Sequence, residues 1–309
     1  MTEPPQVLAL FGPTASGKSA VAHALALALG GEVIVADPFQ RYRGLEIAAD
    51  SPRHAQRREV PYHLVGDLAL TDDSTAGEYA SGAHEAIDGV LARGRVPIVA
   101  GGTGLYLRAA LCDLDMRPAP APEVRAWAEG LAADPAVALA ELEDRDPSAA
   151  AFVDPSNPRR LARALERAAA GDPGPGMDIW AAPYRRPVLL VFTDRPRDVI
   201  TRLIAERVRR ELDEGLQAEL VAALTTEGLA RGPGQVIGMS EVRAIGAGEM
   251  PPEALEEALC VRTRRLARMQ RTWMRRMQPD HVIDLGDAPA GDAAPEIAAL
   301  WRRQRDGVV

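Results

Sequence analysis

One stretch of this 309-residue chain carries chemistry on its own. Gly12-Pro13-Thr14-Ala15-Ser16-Gly17-Lys18-Ser19 fits the pattern G-x-x-x-x-G-K-[ST]. Given one lysine, two glycines and a serine or threonine would fall in frame by accident roughly once in 2,000. Successive backbone N–H groups in such a loop make a concave anion site at the positive end of the next helix. Lys18 reaches phosphoryl oxygens there, and the Ser19 hydroxyl is placed for Mg²⁺. Asp37 and Thr103 follow apolar runs, at the strand ends where open α/β sheets bind ligands. Each also has a plainer reading, Asp37 as a turn cap and Thr103 as the N-cap of a helix.

The elements around these residues suit the task. Val7–Phe11 is a short apolar run that stops at Gly12, as a buried parallel strand does before a loop. Ala20–Leu29 reads as a helix closed by Gly30-Gly31, Glu32–Ala36 as a strand, Glu78–Ala92 as a helix and Val96–Ala100 as a third strand. Gly101-Gly102 then allows close approach of backbone to a ligand. Val188–Phe192 restores a strand, Thr201–Leu224 one long amphipathic helix, Pro252–Met277 another, and Pro295–Arg303 a short last helix. Between Asp113 and about Tyr184 the pattern is helical, with Pro/Ala-rich joints at Pro118, Pro120 and Pro122 and at Asp172–Gly176. The expected architecture is a P-loop NTPase-like α/β fold, a parallel sheet core with a helical insertion domain. Its parts are the first part of the core at 1–112, the insertion at 113–183 and the rest of the core at 184–309.

Composition narrows the classes. Hydrophobic residues make 47% and charged residues 26%, which excludes wholesale disorder. Cys112 and Cys260 share no CxxC motif, so neither a disulfide framework nor a thiolate zinc site is expected, and the default is a reducing cytoplasm. His23, His54, His63, His84 and His281 show no HExxH spacing, so a metal held by protein side chains alone is not expected. No signal peptide or membrane-spanning run is visible, and the protein reads as soluble. Lys18 is the sole lysine among 36 basic residues. A compact ammonium on a flexible stem suits a phosphate loop better than a planar guanidinium does.

Taken together, the motifs resemble those of the tRNA dimethylallyltransferase (isopentenyltransferase) family. The matching stretches are GPTASGKS (12–19), ADPFQRYRGLEI (36–47), VPYHLVG (60–66), GRVPIVAGGTGLYLRA (94–109), SNPRRLARALE (156–166), ERVRRELDEGL (206–216), QVIGMSE (235–241) and RTRRLARMQRTWMRR (262–276). The resemblance implies transfer of a dimethylallyl group from dimethylallyl diphosphate to N6 of the adenine 3′-adjacent to the anticodon of tRNA. The phosphate loop, residues 12–19, would then hold a leaving diphosphate, with Mg²⁺ as cofactor and Arg207 as a further diphosphate ligand. Asp37 matches the family's general base and Thr103 a threonine near the reacting groups. Gln40 matches a glutamine that reads the adenine, which must leave its stack to react. Arg125, Arg159, Arg160, Arg163 and Gln270 fall on the tRNA side, contacting the anticodon stem-loop. The family is usually monomeric.

The net charge of −8 does not oppose an RNA partner, because local distribution matters more than the total. Arg262, Arg264, Arg265, Arg268, Arg271, Arg275 and Arg276 crowd one helix; its plainer reading is a solvated face paired with acids such as Glu253, Glu256 and Glu257. Trp273 beside them reads as a core anchor before a stacking platform. Four segments depart from the family pattern: Pro38 for a serine, Ala48-Ala49-Asp50-Ser51 for G-T-A-K, Met239-Ser240 for an aromatic and a base, and Arg209 for an aspartate. Transfer to free adenine nucleotides, a small-molecule kinase and a diverged binding protein are the competing functions.

Overall fold

The computed structural model describes residues 3–114, 116, 120–172, 174 and 178–306. Pro118 and residues 173 and 175–176 of the expected joints lie outside them. The chain divides into two compact units, Met1–Asp113 with Pro183–Val309, and Leu114–Ala182.

In the first unit, β1 (Val7–Phe11) leads through the phosphate loop into α1 (Lys18–Leu29), and Gly30 then turns the chain into β2 (Gly31–Val35). Then come α2 (His54–Glu59), β3 (Tyr62–His63), α3 (Ala76–Ala92), β4 (Val96–Gly101) and α4 (Gly104–Leu111). The helix expected from Glu78 begins two residues earlier because Thr75 and Glu78 form a capping box, each side chain bonding the other's N–H (3.1 and 2.9 Å). The second unit follows with α5 (Pro122–Ala132), α6 (Pro135–Arg145), α7 (Pro147–Phe152) and α8 (Pro158–Ala169). Each of these four opens on a proline, whose fixed φ suits the first helical turn. Ala128, Ala138, Leu142, Ala149, Leu161 and Leu165 form the core of that unit.

The first unit resumes with β5 (Val188–Asp194), α9 (Arg197–Asp213), α10 (Leu216–Leu224), α11 (Met239–Gly246), α12 (Leu255–Met277), β6 (His281–Asp284) and α13 (Ala294–Arg305). The single helix expected over Thr201–Leu224 is two. Gly215 sits at φ +101°, a conformation that ends α9 and caps the start of α10. Strands β3 and β6 escape the sequence pattern because one has two residues and the other mixes charged ends with an exposed Val282.

All six strands run parallel in the order β3-β2-β4-β1-β5-β6. Leu8, Leu10, Val33, Val35, Ile98, Leu189 and Val191 pack one face against Val21 and Leu25 of α1 and Ile297 and Trp301 of α13. Burying such a side chain contributes roughly 1.5–3 kcal/mol. A second cluster gathers α9 to α12 around Ile204, Leu220, Met239 and Leu259, and it takes in Tyr42 and Leu45 from the chain after β2. Register decides what meets at the carboxyl edge of the sheet. Phe11 stands beside Gly101 on one side and Phe192 on the other, and the Ala36 N–H donates to the Ala100 carbonyl (2.8 Å). The phosphate loop, Asp37, Gly101-Gly102 and Thr193 therefore share one rim.

Candidate active site

Three segments that follow far along the chain hold the phosphate loop in shape. The Thr14 N–H donates to the Gln270 Oε1 of α12 (2.6 Å). The Arg207 Nη1 of α9 donates to the Thr14 hydroxyl (3.0 Å). Arg195, just past β5, donates from Nε to the Ser16 carbonyl (3.1 Å), and the Ser16 and Thr193 hydroxyls meet at 3.3 Å. Thr14, Ser16, Arg195 and Gln270 are all buried, so every one of these bonds except that of Arg207 lies out of water and its loss leaves an unmatched polar group. Gly102 is needed for this packing, because a Cβ there would collide with the Gln270 amide. Gln270, placed on the RNA side or in a supporting role by its motif, is only 5% exposed and braces the loop. Thr193 and Arg195 lie outside every matching stretch and emerge only from the fold, whereas Glu211 falls within the 206–216 stretch and its role shows only in the structure.

Lys18 and Ser19 open α1, Lys18 half-buried and Ser19 exposed. Burial, with Arg207 nearby, brings the Lys18 ammonium down to about 8, against the pull of Asp37 and Asp50. Asp37 is raised above its ordinary value by burial, opposed by the Phe39 N–H, Lys18, the Gln40 N–H and Arg207. Its Oδ1 accepts the Phe39 N–H at 2.9 Å, so the donor that Pro38 lacks is supplied one residue on. Thr103 takes the N-cap position of α4, yet its hydroxyl makes no capping bond. Gln40 donates its amide to the Ala49 and Asp50 carbonyls (3.2 and 3.4 Å).

Arg207 is held from two sides, by Glu211 on Nε (2.6 Å) and by Asp50 on Nη1 (3.2 Å). Burial opposes its charge, but Asp50, Glu211 and Asp37 outweigh that and keep its pKa raised. The other departures lie elsewhere. Met239 is fully buried in the second cluster, and Ser240 and Arg262 both bond Glu241 at the start of α11 (3.0 and 2.9 Å). Arg209 is exposed and pairs with Glu256 (2.7 Å).

The arginines of α12 divide. Arg262, Arg264 and Arg271 are tied to Glu241, Glu257 and Asp194. Arg265, Arg268, Arg275 and Arg276 are exposed along one stripe with Met269, while Trp273 is half-buried. In the second unit Arg159, Arg160 and Arg163 are exposed on α8 and Arg125 is half-buried on α5. Arg163 pairs with Glu166 (2.9 Å).

A phosphate loop between β1 and α1 of a parallel sheet, with an acid after β2 on the far side of β4, defines a P-loop-like α/β protein. The IPP transferase family signature matches residues 40–277, and an isopentenyl transferase signature matches residues 5–61. The chain belongs to the IPP transferase family. It is 41% identical over 307 residues to the tRNA dimethylallyltransferase of Salinispora arenicola, covering 95% of this chain and 86% of that protein. It is 40% identical over 284 residues to the Thermomicrobium roseum enzyme of the same name, covering 90% and 86%. The crystal structure of the tRNA isopentenylpyrophosphate transferase of Bacillus halodurans superposes with a TM-score of 0.72 at 27% identity, covering 98% of this chain and 97% of that one. A eukaryotic dimethylallyltransferase acting on tRNA shares the fold, with a TM-score of 0.77 at 22% identity and coverage of 97% and 78%.

Proposed function

We propose that this chain transfers a dimethylallyl group from dimethylallyl diphosphate to N6 of the adenine 3′-adjacent to the tRNA anticodon, releasing diphosphate. The supporting observation is the shared rim. The loop that can cradle a diphosphate stands beside Asp37 and Thr103 at the carboxyl edge of one sheet. In the reaction the allyl carbon loses its bond to the diphosphate oxygen and gains one to N6, which gives up a proton. Backbone N–H groups of Gly17, Lys18 and Ser19 at the start of α1, with the Lys18 ammonium and Arg207, stabilise charge growing on the leaving oxygen. Asp37 takes the N6 proton, and its burial makes it a better base than an exposed carboxylate. The Gln40 Nε2 is engaged by backbone carbonyls, which leaves its oxygen to accept the second N6 hydrogen.

Among the described residues no group of three or more His, Cys, Asp and Glu could hold a metal ion. The donors suit an ion bound mainly through the diphosphate itself, as magnesium is when it keeps few protein ligands. Ser19 would supply the hydroxyl ligand, and Mg²⁺ would offset charge on the diphosphate.

RNA binding falls to Arg125, Arg159, Arg160 and Arg163 in the second unit and to the exposed stripe of α12 in the first. Arginine serves both phosphates and splayed bases. The chain acts as a monomer, and among the described residues no helix is long and apolar enough to cross a membrane. The deciding experiment supplies labelled dimethylallyl diphosphate with unmodified tRNA, AMP or ATP and follows the label. Label enters tRNA; label in AMP and never in tRNA would overturn the reading.

A further inference from the structure

Of the four departures from the family pattern, only the Ala48–Ser51 segment reaches the phosphate loop, and it does so through Asp50. The Asp50 Oδ2 lies 3.2 Å from the Arg207 Nη1, the same nitrogen that donates to Thr14 of the loop at 3.0 Å. With Nε engaged by Glu211, Nη1 is shared between Thr14 and Asp50. A diphosphate oxygen lying along Thr14 would draw on the Nη1 donor that Asp50 holds.

The Asp50 carboxylate is aimed by a rigid segment. The Glu219 carboxylate accepts the N–H groups of Ile47 (2.9 Å) and Ala48 (2.8 Å). The Asp50 N–H donates to the Ile47 carbonyl (3.0 Å) and the Ser51 N–H to that of Glu46 (2.9 Å). Gln40 holds the carbonyls of Ala49 and Asp50. Asp50 itself sits at φ +50°, a left-handed conformation that aspartate, asparagine and glycine tolerate best. Arg210 gives the carboxylate a second partner, its Nη2 lying 3.4 Å from Oδ1. Asp50 can therefore yield Arg207 without being left unpaired.

We infer that Asp50 competes with diphosphate for Arg207 and so sets how weakly the site holds that group. This rests on the diphosphate reading given above. When diphosphate enters, Arg207 turns from Asp50 to the phosphate while Arg210 keeps the carboxylate. When the allyl group has gone, Asp50 takes Arg207 back and speeds product release. A purely structural Asp50 predicts the opposite sign, because losing a brace on Arg207 would weaken diphosphate binding.

The test is calorimetric titration of the full chain with magnesium pyrophosphate. Asp50→Asn and Asp50→Gly both tolerate the left-handed backbone, and each tightens pyrophosphate by about threefold to fivefold, the range of a half-exposed ion pair. Product inhibition by diphosphate strengthens by the same factor. Unchanged or weaker binding in both variants overturns the inference. In an Arg207→Ala background the Asp50→Asn gain vanishes; a gain that persists there also overturns it, since the carboxylate would then act on the ligand without Arg207. A parent chain that binds no pyrophosphate would defeat the diphosphate reading as well, whereas binding that ignores Asp50 defeats this inference alone.

Discussion

Around the phosphate loop, arginine side chains end on protein. Arg195 reaches the Ser16 carbonyl, Arg207 the Thr14 hydroxyl with Asp50 and Glu211, and Arg271 the Asp194 carboxylate. In the helical unit Arg159, Arg160 and Arg163 line an exposed face of α8 over a small alanine and leucine core. The same residue type therefore does two jobs in one sequence. Buried, with carboxylates close by, it braces a loop against a charged ligand. Exposed in a row, as the proposed function has it, the residue would offer charge to a polyanion in water. Composition alone cannot separate these uses, because both raise the arginine count equally.

The largest expected effect lies at the loop's rim. Asp37→Asn lowers transfer roughly 10²–10⁴-fold, the usual contribution of a general base. Pyrophosphate affinity stays within about threefold. Full retained activity in a labelled-transfer assay would remove Asp37 from the chemistry.

Next in size is the pH profile. Lys18 titrates near 8 in the free chain, so its charge is present below that pH and lost above it. kcat/KM for dimethylallyl diphosphate should fall up to about tenfold per pH unit on the alkaline side. On the acid side it falls as Asp37 takes up a proton, at a pH above that of an ordinary aspartate. A flat profile between pH 7 and 9 would show that Lys18 is not the group engaged.

Gln270→Ala leaves the Thr14 N–H buried and unmatched. The expected cost is about 1–3 kcal/mol of stability, read by chemical denaturation, together with a raised KM for dimethylallyl diphosphate. tRNA affinity in a filter-binding assay stays the same; a loss confined to tRNA would return Gln270 to the RNA side. The smallest effect belongs to the exposed face. Arg160→Ala weakens tRNA binding a few-fold and reduces the slope of log affinity against log salt by about one. An unchanged slope would mean that the α8 row is only solvated surface.

The parts that are local in sequence were legible. The strand, loop and helix of residues 7–29 follow from an apolar run, a glycine pattern and an alanine-rich segment lying next to one another. Asp37 and Thr103 were found because each stands directly after an apolar run that becomes a parallel strand. Several boundaries shift by a few residues, as α9 starting at Arg197 does, and two differ on conformational detail, the break at Gly215 and the capping box at Thr75. The braces on the phosphate loop were not legible for a different reason. Ser16 and Thr193 are 177 positions apart and Thr14 and Gln270 are 256 apart, so no window along the chain contains both partners. Gln270 shows the limit well. Its motif marked it as worth attention, but only the packing against Gly102 reveals which side of the helix it serves.

That same bond has a consequence for how the protein comes into being on the ribosome. The loop is made once residue 19 is joined, and the glutamine that fixes Thr14 follows that threonine by 256 residues. At roughly 5–20 residues per second, the interval is on the order of 10–50 s. Throughout it the nascent chain has the glycines and the lysine of a phosphate site but not the clamp that sets their backbone. Ligand capture is thereby tied to completion of α12, and a chain stalled before residue 270 is born without a finished pocket.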